Sequence, residues 1–211
     1  MTRKRLQTIV LPKPGEGRAG TVAAALQKRR TVRAVSERKL SVQMLSNLLW
    51  AACGVNRKEG PFGTPGRTAA SASNSQEIEV LVALPEGVYA YEPVPHCLLP
   101  LLAGDLRALA IGKGQGKAGA KAPVRLIYVA DIDRFARAGF QEPGLWDLET
   151  QKAYSYVDMG LIAENVYLFA ASHGLVAWLH NCDREALAER LKLGKRQWVL
   201  FGQTVGYPEK Q

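Results

Sequence analysis

The stretch from Ala122 to Asp131, APVRLIYVAD, constrains the fold more than any other part of the sequence, because its apolar residues follow one another with little interruption. A strand with one face in water alternates apolar and polar residues, whereas a strand covered on both faces is apolar nearly throughout. The stretch therefore predicts a central strand of a sheet that is packed on both sides. With 211 residues, 47% of them hydrophobic, the chain can bury the core that such a domain needs.

Helices are predicted where apolar residues recur at spacings of three and four. Residues 40–55 form one such pattern, with Ser41 as the N-cap and Gly54 at the end. Further helices are expected at 98–111, at 146–172 with Gly174 as its terminator, and after an Asp183 cap.

Short β-rich runs alternate with these helices. IEVLVAL and GVYAYEP, separated by PEG, predict a hairpin, and LVAWLH and QWVLFGQTVGYP predict two later strands. We therefore predict an α+β domain with a mixed central sheet flanked by long helices. Residues 1–20 are expected to form an N-terminal arm over the surface, and residues 21–211 a single domain.

Several classes of protein do not fit the composition. No apolar stretch reaches the roughly 20 residues of a membrane span, and we expect no export signal because the early apolar run LQTIVL is short and meets Pro12 and Pro14. The three cysteines show neither a zinc-ligand spacing nor a disulfide framework. We expect a cytoplasmic protein with no metal site and no membrane partner.

A basic segment near the start, ALQKRRTVRAVSERKL from residue 25 to residue 40, poses the functional question. Such a run can be a nucleic-acid arm, a solvated helix face or a clamp for one phosphate. The net charge of +9 favours anionic partners of any kind. Because the remaining basic residues are dispersed and no nucleic-acid module is seen, we do not expect nucleic acid to be the partner.

Candidate catalytic motifs are few. Gly114, Gly116 and Gly119 have the spacing of a dinucleotide fingerprint, but that fingerprint follows a strand and opens a helix, and here a helix is expected before it and a strand after it. No catalytic triad, HExxH motif or P-loop is found. Chemistry without a side-chain catalyst suggests a cofactor, and a basic clamp combined with a loop rich in Ser and Asn suits flavin mononucleotide.

Six segments in order resemble the FMN-dependent nitroreductase family. They are QKRRTVRAV, LSNLLWAACGVNR, GRTAASASNSQEIEVLVAL with GVYAYEP, APVRLIYVAD, AENVYLFAASHGL and QTVGYP. The resemblance extends from about residue 22 to the end of the chain. It implies a nitroreductase-like α+β fold built as an intertwined homodimer, with flavin at the subunit interface.

The resemblance also implies which residues bind the flavin. Arg29, Thr31 and Arg33, with Arg30 between them, match the family pattern for the phosphate and ribityl chain, and guanidinium groups bind phosphate in a bidentate manner. Lys210 corresponds to a further basic residue that relatives offer to the phosphate.

The remaining flavin contacts are implied in two places. Ser71, Ala72, Ser73 and Asn74 match a loop that reaches the flavin from the partner subunit, with Arg67 beside it as a second possible anion contact. In addition, the resemblance places an amide at the uracil edge and backbone over flavin N5, at Gln115, Trp178, Leu179 and His180.

By the same resemblance, the expected activity is ping-pong transfer of a hydride from NAD(P)H through flavin N5 to an organic acceptor such as a nitroaromatic, a quinone or an activated alkene. No side chain is expected to act as the catalyst. The GVYAYEP hairpin also resembles azoline-oxidising dehydrogenases of modified peptides, which is one alternative. A non-enzymatic flavin or nucleic-acid binder is the other.

Overall fold

The computed structural model describes residues 6–14, 20–115 and 122–209. Gly116 and Gly119 of the glycine-rich motif therefore lie outside the described residues. The four α-helices of these ranges are α1 (Val22–Lys28), α2 (Val42–Cys53), α3 (Leu148–Ser172) and α4 (Arg184–Leu191). The nine strands are β1 (Ile9–Val10), β2 (Val55–Arg57), β3 (Gly66–Arg67), β4 (Ile78–Leu84), β5 (Gly87–Glu92), β6 (Cys97–Ala103), β7 (Val124–Asp131), β8 (Val176–His180) and β9 (Gln197–Gly206).

Seven strands form the main sheet in the order β1-β6-β5-β4-β7-β9-β8, and β2 pairs with β3 separately. The predicted central strand is confirmed, because β7 lies between β4 and β9 and buries every residue from Val124 to Ala130. One core cluster covers the face toward α2 and α3, and a second, including Leu106 and Leu187, covers the opposite face.

The strand directions differ in part from the sequence-based expectation of a mixed sheet. All pairings within the seven-stranded sheet are antiparallel. Among the described residues, the parallel component is confined to a single bridge between Thr31 and Ala177. The α+β class is confirmed, with a central sheet that is antiparallel in its strands.

The helix expected at 98–111 is wrong, because Cys97–Ala103 is strand β6. Its residues pair with β5, and Pro100 stands opposite Tyr89 where the register shifts between Val88 and Tyr89. Proline is tolerated in a sheet at such irregularities and near edges. Pairing with a distant segment thus overrode a local pattern that allowed either structure.

The long helix α3 positions the candidate site, since both parts of that site contact it. The helix begins where Asp147 accepts the backbone N–H of Thr150 through Oδ2 at 2.8 Å. It ends at Ser172, and Gly174 then adopts a φ of +66°, a left-handed conformation that glycine tolerates without a steric penalty. Both ends agree with the sequence prediction to within two residues.

Candidate functional site

The part of the basic segment that follows α1, beginning at Arg29, lies against the outer edge of β8. Thr31 bridges Ala177, and the backbone N–H of Val32 donates to the Ala177 carbonyl at 3.1 Å. Within the described residues β8 is the last strand of the sheet, so this edge is open to the segment. The segment predicted to hold phosphate and the strand predicted to cross the flavin therefore share one surface.

The Tyr167 hydroxyl, which comes from α3, joins these two segments. It accepts the backbone N–H of Leu179 at 2.8 Å and lies 3.3 Å from Thr31 Oγ1. A hydroxyl can accept and donate at once, so one side chain satisfies an edge amide and orients the threonine hydroxyl. Tyr167 was not among the site residues predicted from the sequence.

The guanidinium groups of the segment rest on aromatic rings. Arg29 lies over the Tyr167 ring with Cζ 5.4 Å from its centroid, and Arg33 lies over Trp178 at 5.1 Å. Among the described residues, neither of them nor the exposed Arg30 forms an ion pair with a carboxylate. The stacking holds the cations in place and leaves their N–H groups available to an anion.

The last described residues run beside the same segment. Val35 bridges Pro208 in antiparallel fashion, and the Glu209 N–H donates to the Ala34 carbonyl at 3.3 Å. Lys210 itself lies outside the described residues, and its contact with phosphate stays a prediction.

His180 is held in one state inside the protein. Its Nδ1 lies 2.9 Å from the Asn181 carbonyl and its Nε2 lies 2.8 Å from Thr204 Oγ1. A carbonyl only accepts, so Nδ1 carries the hydrogen and Nε2 accepts from the threonine hydroxyl. Burial, followed by the Arg125 charge, lowers the pKa of His180 to about 4 and keeps the ring neutral. Because both ring nitrogens are already hydrogen-bonded, His180 can contact a ligand through its backbone.

Gln115 sits beside the end of β8. Its Oε1 would lie 3.2 Å from a Cβ on Gly112, and that same position is 3.4 Å from the Cβ of Asn181. The oxygen is buried and has no hydrogen-bond partner among the described residues. This acceptor is therefore free to bind a donor from a ligand or from water.

The loop from Ser71 to Gln76 has an unusual backbone. Ser73, Asn74 and Gln76 adopt φ values of +49°, +54° and +52°, a region in which side chains other than glycine are strained. Such strain persists only where the surroundings over-determine the conformation. The hydrogen bonds of the loop supply that constraint.

Neighbouring elements fix the loop through hydrogen bonds. The Ala72 N–H donates to Asp158 Oδ2 at 2.8 Å, and Ser73 Oγ donates to Glu142 Oε1 at 3.0 Å. Arg67, predicted as a possible anion contact, donates through Nε to Gln76 Oε1 at 2.7 Å. Arg67 therefore supports the loop.

A buried pair of carboxyl groups lies behind the loop. Glu77 is fully buried and Asp158 is 4% exposed. Burial and then the charge of Asp158 raise the pKa of Glu77 to about 7, and burial likewise raises the pKa of Asp158. Neither residue was among the site residues predicted from the sequence.

The predicted site residues thus fall into two groups along α3. The first, near Tyr167, contains Arg29–Arg33 and β8, with Gln115 at the far end of β8. The second, near Asp158, is the loop Ser71–Asn74. At about 1.5 Å of rise per residue, the two attachment points are separated by about 14 Å along the helix axis.

Two other kinds of feature are absent from the described ranges. No group of three or more His, Cys, Asp or Glu side chains in them could bind a metal ion. No helix in these ranges combines the length and apolarity required to cross a membrane.

Comparison with known proteins agrees with the resemblance seen in the sequence. A sequence model described as the nitroreductase family matches residues 26–207. A candidate nitroreductase of Methanocaldococcus jannaschii is 34% identical over 155 residues, which cover 71% of this chain and 73% of that protein.

Solved structures give the same fold. The crystal structure of a candidate nitroreductase from Ralstonia eutropha JMP134 superposes with a TM-score of 0.82 at 33% identity, covering 97% of this chain and 90% of the other. A chain of the E. coli microcin synthetase McbBCD complex superposes with a TM-score of 0.69 at 18% identity, covering 95% of this chain and 78% of the other. At 18% identity the second likeness concerns the fold alone.

Proposed function

Because the chain belongs to the nitroreductase family, whose members are in general flavin-containing oxidoreductases, we propose that it binds FMN and uses NAD(P)H to reduce a small organic acceptor. The observation that carries this proposal is the docking of Arg29–Arg33 on the outer edge of β8. That arrangement puts cations, a hydroxyl and strand backbone on one surface, and these are the groups that a flavin nucleotide requires.

The phosphate end of the FMN would be held by Arg29, Thr31 and Arg33. The two arginines have no carboxylate partner within the described ranges, and aromatic stacking limits their motion. Restricting a binding group before the ligand arrives reduces the entropy lost on binding. Arg30 would add long-range attraction, and we expect Lys210 to join the same anion.

The ring end of the FMN would lie along the residues from Trp178 to Asn181. Gln115 would contact the uracil edge, since its buried oxygen needs a donor. The neutral His180 would orient the strand end by donating to the Asn181 carbonyl. When bound, the flavin would supply the hydride chemistry, accepting a hydride from NAD(P)H at N5 and delivering it to the acceptor.

We propose a homodimer in which the Ser71–Asn74 loop contacts the flavin of the partner. The loop and the basic segment of one subunit attach to α3 at separate places, which suits a contribution from two chains. The first half of α3 also exposes apolar side chains, with Tyr156, Val157 and Leu161 between 43% and 59% accessible. An apolar helix face of this kind is typical of an interface.

The chain itself would position and shield the reactants. A buried, water-poor contact between two subunits strengthens the electrostatic interactions inside it. Nitroaromatics, quinones and activated alkenes are the acceptor classes to test. The cysteines Cys53, Cys97 and Cys182 are all free thiols, which supports a reducing compartment such as the cytoplasm.

The first experiment is the visible spectrum of the purified protein, followed by titration with NADPH in the absence of oxygen. We expect a yellow protein that bleaches and regains its colour when a quinone is added. A colourless protein that fails to take up FMN would overturn the proposal. A flavin that binds but is not reduced by either NADH or NADPH would leave a binding protein without this activity.

A further inference from the structure

The buried pair Glu77 and Asp158 stands where α3 meets the strained loop. The two carboxyl groups line the same cavity, and a side-chain hydrogen bond between them contributes to the pKa shifts of both. Glu77 Oε2 already accepts from Ser75 Oγ at 2.7 Å, and Asp158 Oδ2 accepts from the Ala72 N–H. Glu77 Oε1 is buried and has no partner of its own in the described part of the chain.

Two carboxylates cannot hydrogen-bond one another, because neither has a hydrogen to donate. If the two carboxyl groups hold one proton between them, that proton provides the missing hydrogen-bond donor. It also removes one of two neighbouring buried negative charges. The same arrangement keeps Asp158 in place as the acceptor for the loop.

We propose that Glu77 and Asp158 share one proton and thereby act as positioning residues, which hold the Ser71–Gln76 loop in its flavin-contacting shape and make that shape pH-dependent. The predicted effect on FMN binding rests on the proposed function, whereas the predicted effect of the pair on the shape of the loop does not. When the proton leaves to solvent, two neighbouring negative charges remain behind the loop, and their repulsion displaces Asp158 from its contact with the Ala72 N–H.

Other charged and titratable groups face the pair from several elements. A cavity of about 70 Å³ adjoins the pair, and its charged or titratable lining residues besides the pair are Cys53 from α2, Arg67 from β3, Glu79 from β4, Tyr91 and Glu92 from β5, and Arg134 after β7. Burial raises the pKa of Cys53 to about 12 and raises that of Tyr91 further above neutrality. Glu79 is ion-paired with Arg134 at 2.6 Å.

The direction of the effect follows from the raised pKa of Glu77. Glu77 binds its proton more tightly in the folded state than in the unfolded state. The resulting contribution to the free energy of unfolding is complete below about pH 4.5 and is lost as the pH rises through about 7. The loop is therefore expected to be well ordered at pH 6 and loosened at pH 8.5.

The test uses hydrogen exchange of the peptide that contains residues 70–78, corrected for the intrinsic effect of pH, together with FMN titrations of the full chain. For the wild type we expect protection to fall about tenfold between pH 6 and pH 8.5 and the dissociation constant for FMN to rise about tenfold. Glu77→Gln should remove both dependences, because the amide stays neutral and still offers a donor and an acceptor.

Glu79→Gln is the matched control, since it makes the same change at a carboxylate that lines the same cavity. It should keep the pH dependence of the wild type. A wild-type loop whose protection does not change with pH, or a Glu77→Gln protein that follows the wild type, would overturn the proposal.

If the protein binds no FMN at any pH, the proposed function fails, but the exchange measurement still decides the role of the pair. An Asp158→Asn variant adds a second check. It should keep an acceptor for the Ala72 N–H and also flatten the pH profile, whereas Asp158→Ala should reduce loop protection at every pH.

Discussion

The basic segment and the Ser71–Gln76 loop treat their polar groups in opposite ways. Arg29 and Arg33 stack on aromatic rings and have no carboxylate partner in the described residues, and Thr31 between them is exposed. The loop instead directs its polar groups inward, where Asp158, Glu142 and Arg67 bind them. The first region keeps charge available for a ligand, and the second uses hydrogen bonds to hold a strained shape.

The largest expected effect is the loss of FMN affinity when Arg29 and Arg33 are replaced. Replacing Arg29 and Arg33 together by Ala should raise the dissociation constant for FMN by about 100-fold or more, because each charge-assisted bond contributes about 1.5–3 kcal/mol. The melting temperature should change little, since neither side chain is in the core. Fluorescence titration and thermal unfolding measure the two effects.

Arg190→Ala is the control for this pair, because Arg190 is an exposed arginine near the end of α4. It lowers the net charge by one without touching the basic segment. If Arg190→Ala weakened FMN binding as much as Arg29→Ala alone, the effect would be one of net charge and the clamp would be wrong.

The two regions should also respond to pH in opposite directions. The pKa of His180 is lowered to about 4, so its contribution to stability is complete above about pH 6.5 and is lost as the pH falls toward 4. The contribution of Glu77 is lost as the pH rises through about 7. A shift of the size seen for His180 corresponds to at most about 3 kcal/mol.

Chemical denaturation between pH 4 and pH 8.5 measures this difference. The free energy of unfolding of His180→Gln should vary less than that of the wild type on the acidic side, and that of Glu77→Gln should vary less on the neutral to basic side. Equal curves for the wild type and His180→Gln below pH 6.5 would show that His180 is not held neutral by its surroundings.

A smaller effect is expected where the two segments of the first region meet. Tyr167→Phe removes the hydroxyl between Thr31 and the Leu179 N–H, so the protein should lose about 1–3 kcal/mol of stability and several-fold in FMN affinity. Tyr207→Phe is the matched control, because no hydrogen bond of the Tyr207 hydroxyl is seen within the described ranges and its ring should still stack under Arg38.

The smallest effect concerns the strain of the loop. Ser73→Ala and Ser73→Gly both remove the hydrogen bond to Glu142, but only glycine accepts a φ of +49° without a steric penalty. The glycine variant should be more stable than the alanine variant by about 1 kcal/mol. Equal unfolding free energies would show that the conformation is not strained.

Much of the fold was predictable because its signals are local. The apolar run of β7, the Ser41 cap of α2 and the Gly174 terminator of α3 each depend on a few neighbouring residues, and the structure confirms all three. The helix expected at 98–111 failed because CLLPLLA suits either structure locally, and pairing with β5 decided for a strand.

The candidate site divides in the same way. The resemblance identified the basic segment, the Ser and Asn loop and β8, and these assignments stay predictions until a ligand is bound. Tyr167, Glu77 and Asp158 were not singled out, because their importance comes from contacts with residues far away in the chain. Asp158, for example, meets Ala72 across 86 positions.

The sequence by itself determined the family and most of the local elements, since motif order, caps and hydrophobic periodicity are all read from residues close together in the chain. The tertiary structure alone decided the antiparallel order of the strands, the docking of Arg29–Arg33 on β8 and the meeting of Glu77 with Asp158. The physical reason is that a charge or hydroxyl acquires its energy from what surrounds it, and only the folded chain brings those surroundings together.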